Sequence, residues 1–346
     1  MISICLFNNK GGVGKTTLTC NIAAYFARKF KKKVLLVDCD PQCNTTQLVL
    51  NEEATSKLYR SRDTRHKTGT ILDVLRPLQL GEPEISKGIA PMSAKSNRFG
   101  VDIIPGHPRL SMLEDILSQS WGEAATGKIG GIRKSNWCST LVGDLEANYD
   151  IAFFDIGPSL GSLNRCVLLG VQHFISPVAA DVFSVFGVRN IAEWLKQWLS
   201  DYQFGLGVAE KDLPGVLQEF GVRKDPAVMK GFAGYTVQQY ITKSKQGIRR
   251  ATVAYEKILH GIPSEVNEAL GEYFSDEVTP SSMHLGDVPH MYSLVPLAQS
   301  ANAPIMALTS SDGLAGSQFM QVEKYAVNLE IIARNLAKNI DMAVPA

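Results

Sequence analysis

Short apolar runs alternate with stretches of helical periodicity along most of the chain. Several runs rich in apolar and β-branched residues predict strands, at 2–7, 34–37, 101–104, 151–154, 173–178, 232–237 and 292–295. Apolar positions three and four residues apart predict helices, at 18–27, 70–80, 110–117, 138–147, 185–199 and 318–340. Because strands and helices alternate, we expect a doubly wound α/β fold with a mainly parallel sheet and helices on both faces.

The composition is that of an ordinary globular protein. Hydrophobic residues make up 45% and charged residues 20% of the 346 residues, which is enough apolar material for a sizeable core and for a single domain over residues 1–346. The formal net charge of +1 provides no overall attraction to nucleic acid or anionic lipid. Any contact with a polyanion therefore needs a local basic patch.

The cysteines and the lengths of the apolar runs indicate in which cellular compartment the protein is expected. The 6 cysteines form no C-x-x-C pair and have no histidine in zinc spacing, so we interpret them as free thiols in a reducing compartment. No apolar run approaches the length of a membrane span, and the sequence opens with a strand pattern rather than a signal peptide. We expect a cytoplasmic protein without stable membrane insertion.

A glycine-rich turn lies between the first predicted strand and the first predicted helix. Backbone N–H groups of such a turn surround phosphate oxygens, and the positive end of the helix dipole lies at the same place. Lys15 is placed to reach the β and γ phosphates of a nucleotide, and the Thr16 hydroxyl to bind Mg²⁺. The general P-loop pattern has a glycine where this chain has Asn9. The predicted phosphate-binding residues are Gly11, Gly12, Val13, Gly14, Lys15, Thr16 and Thr17.

Residues 10–17 read Lys-Gly-Gly-Val-Gly-Lys-Thr-Thr, which resembles the deviant Walker A sequence of the ParA and MinD ATPases. The Asn-Asn pair before it is similar to the Asn-Gln of the ParA (Soj-like) partition branch without an N-terminal DNA-binding domain. The resemblance implies that Lys10 is the signature lysine, which in that family crosses a dimer interface to the phosphates of the other subunit. A cation that arrives in trans neutralises charge on the transferring phosphoryl group and couples hydrolysis to dimerisation.

Two acidic motifs follow predicted strands. Residues 38–42 read Asp-Cys-Asp-Pro-Gln and are similar to the family motif Asp-x-Asp-Pro-Gln, which implies that Asp40 orients the attacking water and that Asp38 supports the Mg²⁺ site. A turn carboxylate is the alternative for Asp40, because Asp-Pro commonly starts turns. Asp155 matches the Walker B aspartate that holds Mg²⁺. Residues 157–161 resemble the family's Pro-Pro-Ser-Leu-Gly, with glycine in place of the first proline.

The resemblance also implies where the adenine of ATP or ADP lies. The family has an asparagine after the strand predicted at 232–237 and a proline after the final strand. Gln238 occupies the asparagine position, and Pro296 follows the strand predicted at 292–295. We expect both to contact the base, although a solvent-exposed glutamine is the alternative for Gln238.

Parts of the chain depart from the family plan. We interpret them as loop or helical insertions at 51–68, 120–135, 200–230 and 261–290, where specificity of this protein is expected because insertions in such folds lie on the surface. The stretch 120–135 contains a glycine-rich run that predicts a loop.

The resemblance implies a Mg²⁺-dependent ATPase that closes into an ATP-dependent homodimer and is stimulated by a partner protein. Partition ATPases add nonspecific DNA binding, which would make the protein nucleoid-associated. The candidate phosphate contacts are Lys243, Lys245, Arg249 and Arg250. A solvated helix start explains the same charge cluster.

Other functions compete with DNA partition. The chain is also compatible with an ATP-gated switch that controls a regulator or a defence effector, for which Trp194 and Trp198 offer a partner face, although their i, i+4 spacing is more often found in cores. Membrane recruitment of the MinD kind needs a basic amphipathic C-terminal helix, and residues 339–346 lack one. A degenerate P-loop module that does not hydrolyse ATP is disfavoured, because the lysines, Thr16 and both catalytic-type aspartates are present.

Overall fold

The computed structural model describes residues 1–60, 69–240, 242–245, 248–251 and 253–345, without the side chains of 60, 182, 183, 185 and 239–257. Its strands are β1 Ile2–Leu6, β2 Val34–Asp38, β3 Asp102–Ile104, β4 Ile151–Asp155, β5 His173–Ala179, β6 Phe232–Tyr240, β7 Thr242–Lys245, β8 Ile248–Ala251 and β9 His284–Pro289. Its helices are α1 Lys15–Arg28, α2 Asn44–Val49, α3 Glu52–Arg60, α4 Ile71–Val74, α5 Arg76–Gln79, α6 Leu113–Ala125, α7 Ile129–Ser135, α8 Trp137–Leu145, α9 Ser162–Gly170, α10 Val182–Asp212, α11 Val216–Glu219, α12 Val253–Leu270, α13 Leu294–Ala301 and α14 Gln318–Asn339.

Within the described residues, the main sheet has 7 strands in the order β3-β2-β4-β1-β5-β6-β9. Every neighbouring pair in it is parallel. β1 therefore lies near the middle, and the strand order changes direction there, which is where doubly wound sheets place their ligand sites. β7 and β8 form a separate antiparallel pair.

Helices cover both faces of this sheet. Along β1, Cys5 and Phe7 belong to one buried cluster and Ile4 and Leu6 to the other, because successive side chains of a strand point to opposite faces. The first cluster includes apolar residues of α6, α9 and α10, and the second includes those of α1 and α14. The predicted doubly wound fold with helices on both faces is confirmed.

The strand predicted at 292–295 is wrong. The final strand is β9, and residues 294 and 295 instead begin α13, in which Leu294 and Ala298 are buried at i, i+4 spacing. A short apolar run is compatible with a buried strand or with one turn of helix, so periodicity alone does not separate them. β9 escaped prediction because it is an edge strand that contains Gly286 and Asp287 and lacks a continuous apolar run.

The loop predicted within 120–135 is also wrong, since α6 continues to Ala125 and α7 follows after a turn at Gly127, whose φ is 83°. Two glycines, Gly131 and Gly205, allow close helix packing on α6. A Cβ at Gly131 would lie 2.5 Å from the Ser120 carbonyl oxygen, and a Cβ at Gly205 in α10 would lie 1.9 Å from the Ala124 carbonyl oxygen. The region 200–230 is largely helical as well, because α10 extends to Asp212.

The two tryptophans of α10 belong to the core. Trp198 is 2% exposed, and the Trp194 ring lies 5.5 Å from the Trp198 ring and 5.2 Å from Phe7 (centroid distances). The core interpretation of these residues is confirmed, and they join α10 to the end of β1. Among the described residues, no helix is both long and apolar enough to cross a bilayer.

Candidate functional site

The turn between β1 and α1 has the backbone of a phosphate-binding loop. Gly12 and Gly14 have φ angles of 73° and 79°, a left-handed conformation that glycine adopts without steric cost. Gly14 immediately precedes α1, so the helix N-terminus opens onto the loop. No atom lies within 4 Å of a Cβ built on Gly11 or Gly12, and the inner side of the loop is therefore open to a ligand.

Lys15 lies across this loop. Its Nζ donates to the carbonyl oxygens of Asn8 at 3.0 Å and Lys10 at 3.1 Å. Burial lowers the pKa of Lys15, although the charges of Asp155 and Asp40 oppose that shift. The negative charge of a bound phosphate would stabilise the charged form of this buried ammonium.

Asn8 fixes the loop to the neighbouring strand. It is 1% exposed, its Nδ2 donates to the Pro177 carbonyl oxygen at 2.6 Å, and its Oδ1 accepts from the Lys10 N–H at 2.8 Å. In the sequence, Asn8 was noted only as part of the Asn-Asn pair before the Walker A motif, with no structural role. Its structural role depends on a contact with β5 that no local pattern shows.

Asp155 lies at the end of β4 beside the first turn of α1. Its Oδ2 accepts from Thr16 Oγ1 at 2.9 Å and from Thr45 Oγ1 at 2.7 Å. Its Oδ1 is buried and has no hydrogen-bond partner among the described residues. Burial raises the pKa of Asp155 to about 6, while the hydrogen bonds from Thr45 and Thr16 act in the opposite direction. A buried carboxylate oxygen without a partner is suited to a cation.

Thr45 was not predicted as a site residue. It lies in α2, one turn after the Asp-Cys-Asp-Pro-Gln motif, and is fully buried. The only sequence signal was a pair of hydroxyl residues, Thr45 and Thr46, after the motif. Their use is visible only in the folded chain, where each contacts a different aspartate.

Asp38 pairs in register with Asp155 across β2 and β4. Its Oδ2 accepts from the N–H of Thr46 at 2.8 Å and from its Oγ1 at 2.6 Å, and its Oδ1 accepts from the Asp40 N–H at 3.2 Å. Burial and the nearby charge of Asp155 raise the pKa of Asp38 to about 7. Both oxygens of Asp38 therefore shape the loop that carries Asp40, beside the predicted metal position.

Asp40 faces the same cleft as the phosphate loop. It is 6% exposed, and its Oδ1 accepts from the Gln42 N–H at 2.9 Å, so it also makes the turn contact that its alternative interpretation predicted. A Cβ at Gly157 would lie 3.4 Å from the Asp40 carboxyl carbon, which places the glycine of the altered Pro-Pro-Ser-Leu-Gly motif against this carboxylate.

A cleft of about 650 Å³ joins the phosphate-binding loop and Asp40. It is lined by the loop from Gly11 to Thr17, by Asp40, by α2 and, on the far side, by Gln299 of α13. Lys15, Thr16 and Asp40, which are far apart in sequence, therefore share one solvent-accessible space. Gln299 had not been predicted as part of the site.

Lys10 pairs with an acid of its own chain. Its Nζ lies 2.5 Å from Oδ2 of Asp181, which precedes α10. Partial burial opposes ionisation of Asp181, but hydrogen bonds from Lys10 and Ser184 outweigh it and lower the pKa of Asp181. Asp181 was not predicted, since no motif of the sequence marks it.

The two residues predicted to contact the base lie in different places: Gln238 is buried near the end of a strand, and Pro296 lies inside a helix. Gln238 is 2% exposed near the end of β6, opposite Val288 of β9, and its Nε2 donates to Thr236 Oγ1 at 2.8 Å, so the solvent-exposed interpretation is wrong. The premise for Pro296 is wrong, because this proline lies inside α13. The proline at the end of the final strand is Pro289, which pairs with Tyr240.

The remaining candidates concern metals and DNA. No group of three or more His, Cys, Asp or Glu residues in metal-binding proximity occurs in the described ranges, and all six cysteines are buried and free.

Lys243 pairs with Arg250 in the β7–β8 hairpin, which also contains Lys245 and Arg249, so a strand pair and not a helix start carries this charge. The side chains of these four residues lie outside the described part of the chain.

Comparison with known proteins agrees with this geometry. The family model for the AAA domain (AAA_31) matches residues 1–204. The virulence plasmid ParA family protein pGP5-D of Chlamydia muridarum is 31% identical over 196 residues, 54% of this chain and 58% of that protein. The chromosome-partitioning ATPase Soj of Thermus thermophilus is 30% identical over 196 residues, 56% of this chain and 61% of that protein. The chain thus matches less than two thirds of the length of these curated relatives.

Solved structures extend the similarity over the whole fold. Protein DIP2308 from Corynebacterium diphtheriae is 33% identical with a TM-score of 0.74, and the match covers 98% of this chain and 99% of that one. The ATP complex of McdA from Cyanothece, at 15% identity and a TM-score of 0.59, covers 100% and 98% and shares the fold. From the family match and these relatives, the chain belongs to the ParA/MinD family of P-loop ATPases, within the AAA-domain family.

Proposed function

We propose that this protein is a Mg²⁺-dependent ATPase that forms an ATP-dependent homodimer and acts in plasmid or chromosome partition. The observation that carries the proposal is the cleft that Lys15, Thr16 and Asp40 share, with the buried Asp155 next to it and hydrogen-bonded to Thr16. In this proposal the ATP-bound dimer binds DNA nonspecifically, and a partner protein stimulates hydrolysis and release. Two of the relatives are described as a plasmid ParA family protein and a chromosome-partitioning ATPase, which supports this choice.

The phosphate chain of ATP would lie along the loop between Gly11 and Thr17. The N–H groups at the start of α1 and the buried ammonium of Lys15 provide positive charge there before the ligand arrives, so little reorganisation opposes binding. The adenine would lie toward the ends of β6 and β9, beside Gln238 and with Pro289 in place of Pro296. ADP would bind through the same contacts, apart from those to the γ phosphate.

Mg²⁺ would be held by Thr16 and Asp155, with Asp38 supporting the site from the adjacent strand. The unpartnered Oδ1 of Asp155 and its neighbouring hydroxyl fit this ion, which takes oxygen ligands and is commonly bound by one or two carboxylates together with substrate phosphates. When bound, Mg²⁺ neutralises charge on the phosphates. A pKa of about 6 leaves Asp155 mostly ionised at neutral pH and so ready for the cation.

Asp40 would orient the water that attacks the γ phosphate. Its carboxylate lies on the cleft beside Gly157, and its Oδ1 is held by the Gln42 N–H, so its orientation is fixed before substrate binds. Lys10 would act on the ATP of the other subunit, where its charge stabilises the transferring phosphoryl group. Hydrolysis would therefore require a closed dimer, and the loss of the γ phosphate would open it.

DNA binding is tested with the Asp40→Ala protein, which should bind ATP and accumulate as a dimer. We expect it to bind a nonspecific duplex with ATP but not with ADP, with an affinity that falls steeply as salt rises. Replacing Arg249 and Arg250 with alanine should weaken the binding and reduce the slope of log K against log salt by about 0.9 for each phosphate that the protein no longer neutralises.

The matched control replaces two exposed lysines, Lys29 directly after α1 and Lys33 directly before β2, and so removes the same charge elsewhere. Its DNA affinity should remain close to that of the parent. An ATP-locked dimer that shows no DNA binding would exclude the partition function and favour an ATP-gated switch directed at a protein. Salt-sensitive binding that the arginine variant does not alter would exclude the hairpin as the DNA contact.

A further inference from the structure

The acid that pairs with Lys10 lies on the same subunit and far away in sequence. The Lys10 Nζ and Asp181 Oδ2 atoms are 2.5 Å apart, across a sequence separation of 171 residues. The two side chains are 37% and 35% exposed, so the pair is accessible to a competing anion. The contact is therefore produced by the fold, where the start of α10 meets the phosphate-binding loop.

Asp181 is fixed in this position independently of Lys10. Its Oδ1 accepts from the Ser184 N–H at 2.9 Å, which caps α10, and only its Oδ2 contacts the lysine. α10 also passes close to the loop, since a Cβ at Gly187 would lie 3.2 Å from Asn9 Oδ1. The carboxylate is thus a preorganised acceptor for the Lys10 ammonium.

The backbone of Lys10 is fixed as well, while its ammonium is partly exposed and is held by Asp181. The Lys10 N–H donates to Asn8 Oδ1 at 2.8 Å, and the Lys10 carbonyl accepts from Lys15 Nζ at 3.1 Å. A change of partner for the ammonium therefore requires only side-chain rotation. The Asp181 carboxylate and the triphosphate of a second subunit are both anions, so in a closed dimer they would compete for this one cation.

We propose that Asp181 is a positioning residue that retains Lys10 within its own subunit until an ATP-bound second copy of the chain offers a stronger anion, and that it thereby sets the concentration threshold for dimer closure. The proposal rests on the trans role of Lys10 proposed above. It assigns to Asp181 a function in the free subunit that opposes association.

The expected effect is modest, because half-exposed ion pairs contribute little. Loss of such a pair changes an equilibrium by about two- to fivefold. A symmetric dimer contains two of them, so its dissociation constant should change by about four- to twenty-five-fold. Salt screens the pair, so the change should shrink as ionic strength rises.

The test compares Asp40→Ala with Asp40→Ala/Asp181→Asn by sedimentation equilibrium with ATP, at a series of salt concentrations. Asparagine caps a helix as well as aspartate does, so the start of α10 is retained while the charge is removed. We expect the dimer of the double variant to be tighter by the factor above at low salt, with a smaller gain at high salt. Adding Lys10→Ala to both proteins should abolish the difference.

A matched control removes the same charge from a remote pair. Glu53→Gln breaks a contact with Lys57, in which both side chains are 75% exposed, and should leave the dissociation constant unchanged. A dimer that is equally tight or weaker in the Asp181→Asn protein would overturn the proposal. If Lys10→Ala instead dimerises and hydrolyses ATP as the wild type does, the trans role itself fails. If Lys10→Ala is inactive and Asp181→Asn has no effect, only the role of Asp181 fails.

Discussion

Replacing Thr45 with valine tests whether Asp155 must be ionised for activity. Thr45 is fully buried, and its Oγ1 donates to Asp155 Oδ2 at 2.7 Å. Valine keeps the shape of the side chain but removes the hydroxyl, so the main change is the loss of one hydrogen bond to a buried carboxylate. Such a bond to a charged group contributes about 1.5–3 kcal/mol.

Losing this hydrogen bond destabilises the ionised form of Asp155 relative to its protonated form. At about 1.4 kcal/mol for each pH unit, the pKa of Asp155 should rise by about one to two units above its value of about 6. The variant would then be largely protonated at neutral pH, and the acidic limb of its pH–activity profile should move upward by the same amount. Wild-type activity should return above about pH 8.5–9, where both proteins are ionised.

The assay is kcat/KM for Mg²⁺–ATP as a function of pH, at a Mg²⁺ concentration below saturation. The control is Thr19→Val, which removes another buried hydroxyl, bonded to the Lys15 carbonyl at 2.9 Å, without touching Asp155. Its acidic limb should coincide with that of the wild type. If the profile of a folded Thr45→Val protein also coincides with the wild type, the assignment of Asp155 as the ionised ligand is wrong.

Three further outcomes follow from the structure. Lys15→Ala should abolish ATP binding measured by calorimetry, whereas Lys29→Ala, at the other end of α1, should bind normally. Burial raises the pKa values of Asp38 and Asp155 to about 7 and about 6, above those of the unfolded chain, so the ligand-free protein should lose stability as pH rises from about 4 through 7. Its urea midpoint should accordingly be lower at pH 8 than at pH 5, with a smaller fall in Asp38→Asn. Gly205→Ala should destabilise the fold by at least about 1–3 kcal/mol in urea unfolding, because its Cβ would overlap a carbonyl oxygen of α6.

The site groups whose proximity could be predicted from the sequence lie in short local motifs. A strand, a glycine-rich turn and a helix start within a few residues of one another, so the phosphate loop can be recognised without knowing the fold. The aspartates at 38, 40 and 155 follow apolar strands directly, and parallel strands bring their carboxyl ends to one edge of the sheet. The sequence therefore indicated that these groups would meet.

The contacts that the sequence did not predict join residues far apart in the chain. Thr45 meets Asp155 across 110 positions, and Lys10 meets Asp181 across 171. No periodicity or motif encodes such distances, which depend on how helices pack on the sheet. The packing of α7 on α6 likewise explains Gly131, whose added Cβ would lie 2.5 Å from the Ser120 carbonyl oxygen.

The position of the final strand was predicted wrongly for a different reason. β9 lies at the edge of the sheet and contains exposed or half-buried polar residues, so its apolar pattern is weaker than that of the helix that follows it. Because of this error, the predicted proline after the final strand is Pro296, whereas the proline at the end of β9 is Pro289. The family's proline was matched to this chain by its place after the predicted final strand, so an error in that strand led to the wrong proline.

In the proposed dimer, each active site is completed by Lys10 of the other subunit. Mixed dimers that join a Lys10→Ala subunit to an Asp40→Ala subunit, purified through two different tags, test it directly by their ATPase rate. In trans, the Asp40→Ala subunit supplies Lys10 to the intact Asp40 of its partner, so the mixed dimer should show about half of the wild-type rate, since one of two symmetric sites is restored. A mixed dimer no more active than either parent variant would contradict the account, because neither of its sites would then be complete.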